Sequence, residues 1–278
     1  RATQLAEVAT DCASCSAALR AVASASHERL EALGGLWDPW GGTPPEGASA
    51  PAAVSEAPTD VSAFVAWLAR TATRDLEIAA DTNRTSAEEA RTLSAAALGR
   101  YASAVTIAQA YGIDLDAGLD QALLINDRVN AASRQGVQTW SIDLFDAPGI
   151  SASFAPSGKD LASSQELSSA VATWDCTAST LPQAQVSAGT LSDAYAVSGE
   201  LLTRADTALR AGAADTRTPR CTLGFLDAPS LASNLLAADS AMLASNSSDV
   251  RSAGASAALA DIQQWAPRTS LPALIGTR

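Results

Sequence analysis

LSDAYAVSGELLTRADTALRAGAADTRTPRCTLGFLDAPSLASNLLAADSAML, residues 191–243, and SSDVRSAGASAALADIQQW, residues 247–265, form the stretch whose punctuation decides the fold. Leu191, Tyr195, Leu202, Ala205 and Leu209 recur at helical steps, which predicts one buried face, and Gly212 weakens the end of that helix. Thr218-Pro219 forces an extended turn, because a residue before proline avoids the α region. Asp227 is placed to cap a helix that buries Leu231, Leu235, Leu236, Met242 and Leu243. Ser248-Asp249 caps another, carrying Val250, Ala257, Leu259, Ile262 and Trp265. The order is helix, break, proline-bounded loop, helix, helix.

The upstream chain repeats this grammar. Leu5, Val8, Cys12, Cys15, Leu19, Val22, Ser26, Leu30 and Leu33 form one stripe, which predicts a single helix over 2–34 ending at Gly34-Gly35. Residues 36–58 are rich in proline and glycine and read as a strap pinned by Trp37 and Trp40. Asp60 opens a helix marked by Phe64, Trp67, Leu68, Thr71, Leu76 and Ile78, as far as about Ala80. Thr85-x-x-Glu88 and Ser86-x-x-Glu89 are overlapping capping boxes for the next, which stops at Gly112. Asp114 caps a fourth helix, with Asn126 and Asn130 on or beside its apolar stripe. Ser163-x-x-Glu166 caps a fifth, which Leu181-Pro182 should break. Short joints between helices predict an all-α protein of antiparallel bundles. We divide it into an N-terminal helical unit, 1–150, containing the strap at 36–58, and a four-helix unit, 151–278.

Composition agrees. Of 278 residues 47% are apolar but only 5% aromatic, and Ala-rich helices pack closely where strands would want branched and aromatic side chains. The net charge of −12 argues against nucleic-acid binding and against attraction to anionic membranes. Residues 1–150 hold 10 basic and 19 acidic groups, a balance of −9, and the remainder hold 8 and 11, a balance of −3. No apolar run approaches the roughly 20 residues that span a bilayer. The start at Arg1 rather than Met suggests a trimmed or mature form, with which a removed signal segment would be compatible, and the cysteine usage points to an exported or cell-envelope location.

The four cysteines are Cys12, Cys15, Cys176 and Cys221, an even number that suggests two bridges and allows three pairings. We favour Cys176–Cys221, with a local Cys12–Cys15 bridge at i, i+3. Structural zinc lacks a second paired ligand set, and a redox role for DCASC lacks a βαβ setting.

The segments LLTRADTALRAGAADTRTPRCTLGFLDAPSLASNLLAAD and ADIQQWAPRTSLPALIG resemble the ferritin-like domain of unknown function found in exported actinobacterial proteins. The likeness spans roughly residues 157–276 and implies a ferritin-like four-helix unit. Di-iron chemistry does not follow. That design takes a Glu from each of two helices and Glu-x-x-His from each of the other two. The second half has only Glu166 and Glu200 and no histidine, and His27 has Ser24 three residues before it. His27-Glu28 has no matched nucleophile, and neither phosphate-loop nor dinucleotide fingerprints occur.

The sequence therefore points to an exported or cell-envelope binding or scaffold protein, with no catalytic constellation, cofactor or metal site assigned. Its partner is unassigned and would be a protein or a small molecule. Two alternatives are a divalent-cation binder using first-half carboxylates, and an enzyme with a site between the two units. For that site Trp37, Trp40, Asn126 and Asn130 are the candidate ligand-lining residues.

Overall fold

A computed structural model describes residues 1–35, 46–47, 56–115, 161–186, 191–218, 221 and 227–276. Among them there are eight α-helices and no strand. They are α1 (Ala2–Val8), α2 (Ala13–Ala32), α3 (Val61–Ala80), α4 (Ala87–Tyr111), α5 (Gln165–Val186), α6 (Leu191–Arg210), α7 (Ala228–Met242) and α8 (Ser248–Trp265). No helix among the described residues is long and apolar enough to cross a membrane.

Caps account for most of the boundaries. Asp60 accepts from the Ala63 amide at 2.9 Å at the start of α3. Ser86 and Glu89 close a reciprocal capping box on α4, and Gly112, at φ +63°, ends that helix in the left-handed region that glycine adopts freely. Asp227 caps α7 through the Ser230 amide at 2.9 Å. Two caps fall one residue from their predicted places. Ser164 accepts from the Leu167 amide before α5, and Ser247, rather than Ser248, precedes α8.

Four readings of the sequence are corrected. The helix predicted over 2–34 is two helices, because the chain leaves helical geometry at Ala9 and Cys12 sits extended (φ −134°, ψ 95°) as the cap of α2. The break lets α1 fold back on α2, where Ser16 Oγ donates to the Ala6 carbonyl at 3.1 Å. On α2 the buried face carries Leu19, Val22 and Arg29, while Leu30 and Leu33 are exposed. Pro182 does not break α5, which runs on to Val186. Proline's φ is close to the helical value, so it costs α5 one amide donor without turning the chain out. Finally α6 is rotated from the predicted face. Tyr195 and Leu202 point to water, and Ala194, Val197, Leu201, Arg204, Ala205 and Ala208 point inward.

The helices close two cores. One joins α1–α4 to α7, α8 and Ile275 of the C-terminal segment; the other is built from α5–α8 around the fully buried Trp174 and Trp265. Thus α7 and α8 serve both. Gly254 permits their close approach, since a Cβ there would lie 2.7 Å from the Asp239 carbonyl oxygen and from Met242 Cβ. The boundary drawn at residue 150 falls outside the described residues.

Both expected bridges are present. Cys12–Cys15 spans a Cα separation of 5.2 Å and Cys176–Cys221 one of 5.1 Å, and no cysteine among the described residues is free. Bridging residues 45 apart removes more freedom from the unfolded chain than bridging residues 3 apart. Replacing Cys176 and Cys221 together by Ser should therefore cost about 4 kcal/mol in a denaturant titration, and the Cys12/Cys15 pair about 2 kcal/mol at most. Equal losses from the two pairs would contradict this ordering.

Candidate functional site

Two polar constellations stand out, one sealed and one open. The sealed one takes a single residue from each helix of the second core: Trp174 on α5, Arg204 on α6, Asp239 on α7 and Asp261 on α8. All four are buried, none more than 4% exposed. Arg204 grips Asp261 with both terminal nitrogens, at 3.1 and 2.9 Å, and lies 3.8 Å from Asp239. Its guanidinium stands over the Trp174 ring, 5.3 Å from the centroid, while Trp174 Nε1 donates to Asp239 Oδ1 at 2.8 Å.

One guanidinium here faces two carboxyls. Burial, reinforced by the neighbouring Asp261, raises the Asp239 pKa well above the usual carboxyl range despite the pull of Arg204. Burial opposes the Arg204 charge, yet Asp261 and Asp239 together hold it above its ordinary value. Asp239 Oδ2 has no donor among its neighbours, so a retained proton directed at Asp261 satisfies it. The cluster is one close ion pair beside an acid that holds its proton more tightly than a free carboxyl does. With no route to water it can hold charge and position helices, but no substrate reaches it.

The open constellation is a groove of about 1120 Å³. Its walls are α2, α4, the first half of α7 and the segment 266–276. That segment lies across α4 because Gly99 has no side chain: a Cβ would fall 1.9 Å from the Ala273 carbonyl oxygen. Ile275 is buried and its amide donates to the Ala95 carbonyl at 3.3 Å. At the base lies Arg29, 7% exposed. Its Nη1 donates to the carbonyls of Gly99 (2.9 Å) and Ala273 (3.3 Å), and its Nη2 to the hydroxyls of Ser26 (3.0 Å) and Ser103 (3.2 Å). It therefore clamps α2, α4 and the C-terminal segment together. Burial, with repulsion from Arg100, lowers its pKa to about 10, which leaves it charged at neutral pH.

The candidate lining residues Trp37, Trp40, Asn126 and Asn130 lie outside the described residues. His27 is exposed and pairs with Glu31 at 3.1 Å, and among the described residues no group of three or more His, Cys, Asp or Glu gathers as a metal site would require. Sequence reading missed Arg204, Asp239, Asp261 and Arg29, though a signal was there. Asp239 follows Leu235 by four residues, Asp261 precedes Trp265 by four, Arg204 follows Leu201 by three, and Arg29 continues the run Leu19, Val22, Ser26. A charge in register with an apolar stripe is a charge that must be buried and partnered.

Comparison of the chain with protein-family models, with curated proteins and with solved structures gave no match.

The sealed cluster makes a prediction about pH. A carboxyl whose native pKa is raised costs nothing below its unfolded value of about 3.9, and its cost grows as pH climbs from there to the native value. Asp239→Asn keeps an acceptor for Trp174 and a donor for Asp261 but has no proton to lose. Its stability relative to the parent should rise with pH over that window, by up to about 1.4 kcal/mol per pH unit. Arg204→Met, which strands Asp261 without a cation, should cost about 3–5 kcal/mol at neutral pH. Urea titrations from pH 4 to 8 read both, and a parallel pH course for Asp239→Asn and parent would exclude the retained proton.

Proposed function

We propose that this is an exported or cell-envelope helical binding protein whose ligand seat is the groove between α2, α4, α7 and the C-terminal segment. The observation that carries the reading is the groove itself. Its volume is that of a site for a small organic molecule, and its walls are held by side-chain clamps rather than by loops alone. Two disulfides suit an oxidising compartment, which supports export. The packing of α5 on α6 and of α7 on α8 supports the ferritin-like reading of residues 157–276. The sealed Arg204 cluster then occupies the interior that a di-metal bundle would give to its ions, and Arg204 supplies the positive charge there.

The second half acts as a brace and the ligand sits at the seam between it and α2/α4. A binding role without bond-making chemistry needs only what lines the groove: apolar side chains, hydroxyls of α4 and the Arg29 guanidinium at its base. Val22, Ala102 and Leu236 line it beside Ser103 and Thr106.

A neutral fluorescent probe tests the seat without presuming its ligand. N-phenyl-1-naphthylamine should brighten on binding the full chain, in the micromolar range. Ala237→Trp, which places an indole in the groove from an exposed position of α7, should weaken that binding at least tenfold with thermal stability unchanged. A tryptophan variant as stable as the parent that binds the probe equally well would remove the groove as the seat.

A further inference from the structure

We infer that the Cys12–Cys15 bridge is a thiol–disulfide exchange site, which accepts two electrons from a dithiol through attack at Cys12, with Cys15 as the leaving sulfur. Neither cysteine lines the groove. The two sulfurs have unequal settings. Cys12 is the cap of α2, half-buried in the turn where α1 folds back, with Ala13 and Ser14 exposed beside it. Cys15 lies one turn inside the helix, 3% exposed, with its sulfur 3.4 Å from the Ala110 carbonyl in the last turn of α4. A thiolate arriving from solvent therefore meets Cys12 and not Cys15.

The charge that forms is placed on the same side. Once the bridge opens, Cys12 Sγ has the Cys15 amide at 3.2 Å and the Ser14 hydroxyl at 3.4 Å as donors. It also stands at the positive end of a helix of 20 residues. Asp11, next in the chain, is exposed to solvent, which screens its opposing charge. Cys15 has the reverse surroundings. The Ala110 carbonyl is an acceptor at the negative end of α4, and it keeps a proton on that sulfur. The reduced pair is thus a thiolate at Cys12 and a thiol at Cys15.

Cys176–Cys221 lacks this polarity. Cys221 Sγ faces the Cys176 carbonyl at 3.3 Å and Thr180 Oγ1 at 3.3 Å, and the Thr180 proton goes to the Cys176 carbonyl at 2.8 Å. Both neighbours act as acceptors, which disfavours a thiolate there. Stabilising a thiolate stabilises the reduced pair, so Cys12–Cys15 is the more readily reduced bridge. The fold also leaves it free to open. A bridge between residues 3 apart constrains the chain little, and the Ser16–Ala6 hydrogen bond still holds α1 on α2. No sheet is needed, because exchange asks only for access and for a place to put the charge.

In the first step one thiol of the dithiol loses its proton as its sulfur bonds to Cys12 Sγ. The Cys12–Cys15 bond breaks and Cys15 leaves as the thiol. The second thiolate then attacks the substrate sulfur of the mixed disulfide, a substrate disulfide forms, and Cys12 leaves as the thiolate. Two electrons have passed to the pair, and of the two protons of the dithiol one stays on Cys15 and one goes to solvent. One chain oxidises one dithiol.

The test places the full oxidised chain in glutathione buffers of stepped reduced-to-oxidised ratio, followed by acid quenching, thiol alkylation and peptide mass spectrometry. Cys12–Cys15 should be half reduced in a buffer about tenfold less reducing than Cys176–Cys221 requires. Glutathione should be trapped on Cys12 in Cys15→Ser, and Cys12→Ser should carry about tenfold less of it on Cys15. Serine is a good helix cap, so Cys12→Ser keeps the fold. A peptide dithiol mixed with the parent chain should be oxidised mole for mole, with the new thiols at Cys12 and Cys15. Reduction of the two bridges in step overturns the inference. So does glutathione trapped equally in the two variants, or a peptide left reduced.

Discussion

A guanidinium sealed from water must find its acceptors inside the protein, and that requirement organises this molecule. Among the described residues Arg29, Arg204 and Arg251 are buried, and each reaches elements distant in sequence. Arg29 joins α2 to α4 and to the C-terminal segment; Arg251 joins α8 to the α3–α4 turn; Arg204 joins α6 to α8 over Trp174. Alanine-rich helices slide easily, because small apolar faces fit one another in many registers. A planar fork with fixed donor directions fits in one. The chain has 17 arginines against a single lysine, and at these three positions the stiff, permanently charged side chain suits the task.

Around those anchors the helices come unusually near. Gly254 brings α8 onto the backbone of α7, and Gly99 brings the C-terminal segment onto α4. The two glycines do different work. The first removes space between two core helices, so that α8 can be buried on nearly all sides. The second lets a backbone cross a helix so that its carbonyl meets Arg29, and the crossing makes one wall of the groove.

Much of this architecture was legible because helix ends are written in side chains that sit next to what they cap. Asp60, Ser86 with Glu89, Gly112 and Asp227 stand where the sequence put them. What escaped reading depends on distant partners. The 2–34 stripe looked continuous because Cys12 is apolar and in phase; only the fold-back of α1 on α2 shows that the phase is coincidental. Tyr195 and Leu202 outweighed Arg204 on a hydrophobicity argument, yet the face with arginine is the one that meets Asp261. Likewise Leu30 was preferred to Arg29, although Arg29 keeps the spacing. The groove lies where α2 and α4 meet α7 and the C-terminal segment. Its lining was not legible, since it depends on a close crossing at Gly99.

The sharing of α7 and α8 has a consequence in time. The N-terminal core, whose first helix begins at Ala2, lacks its closing partners until residues near 265 have been made. Until then each core keeps part of its apolar surface uncovered, so the packing of both is completed only when the last of these helices arrives. The last helix thus acts as a timer as much as a strut.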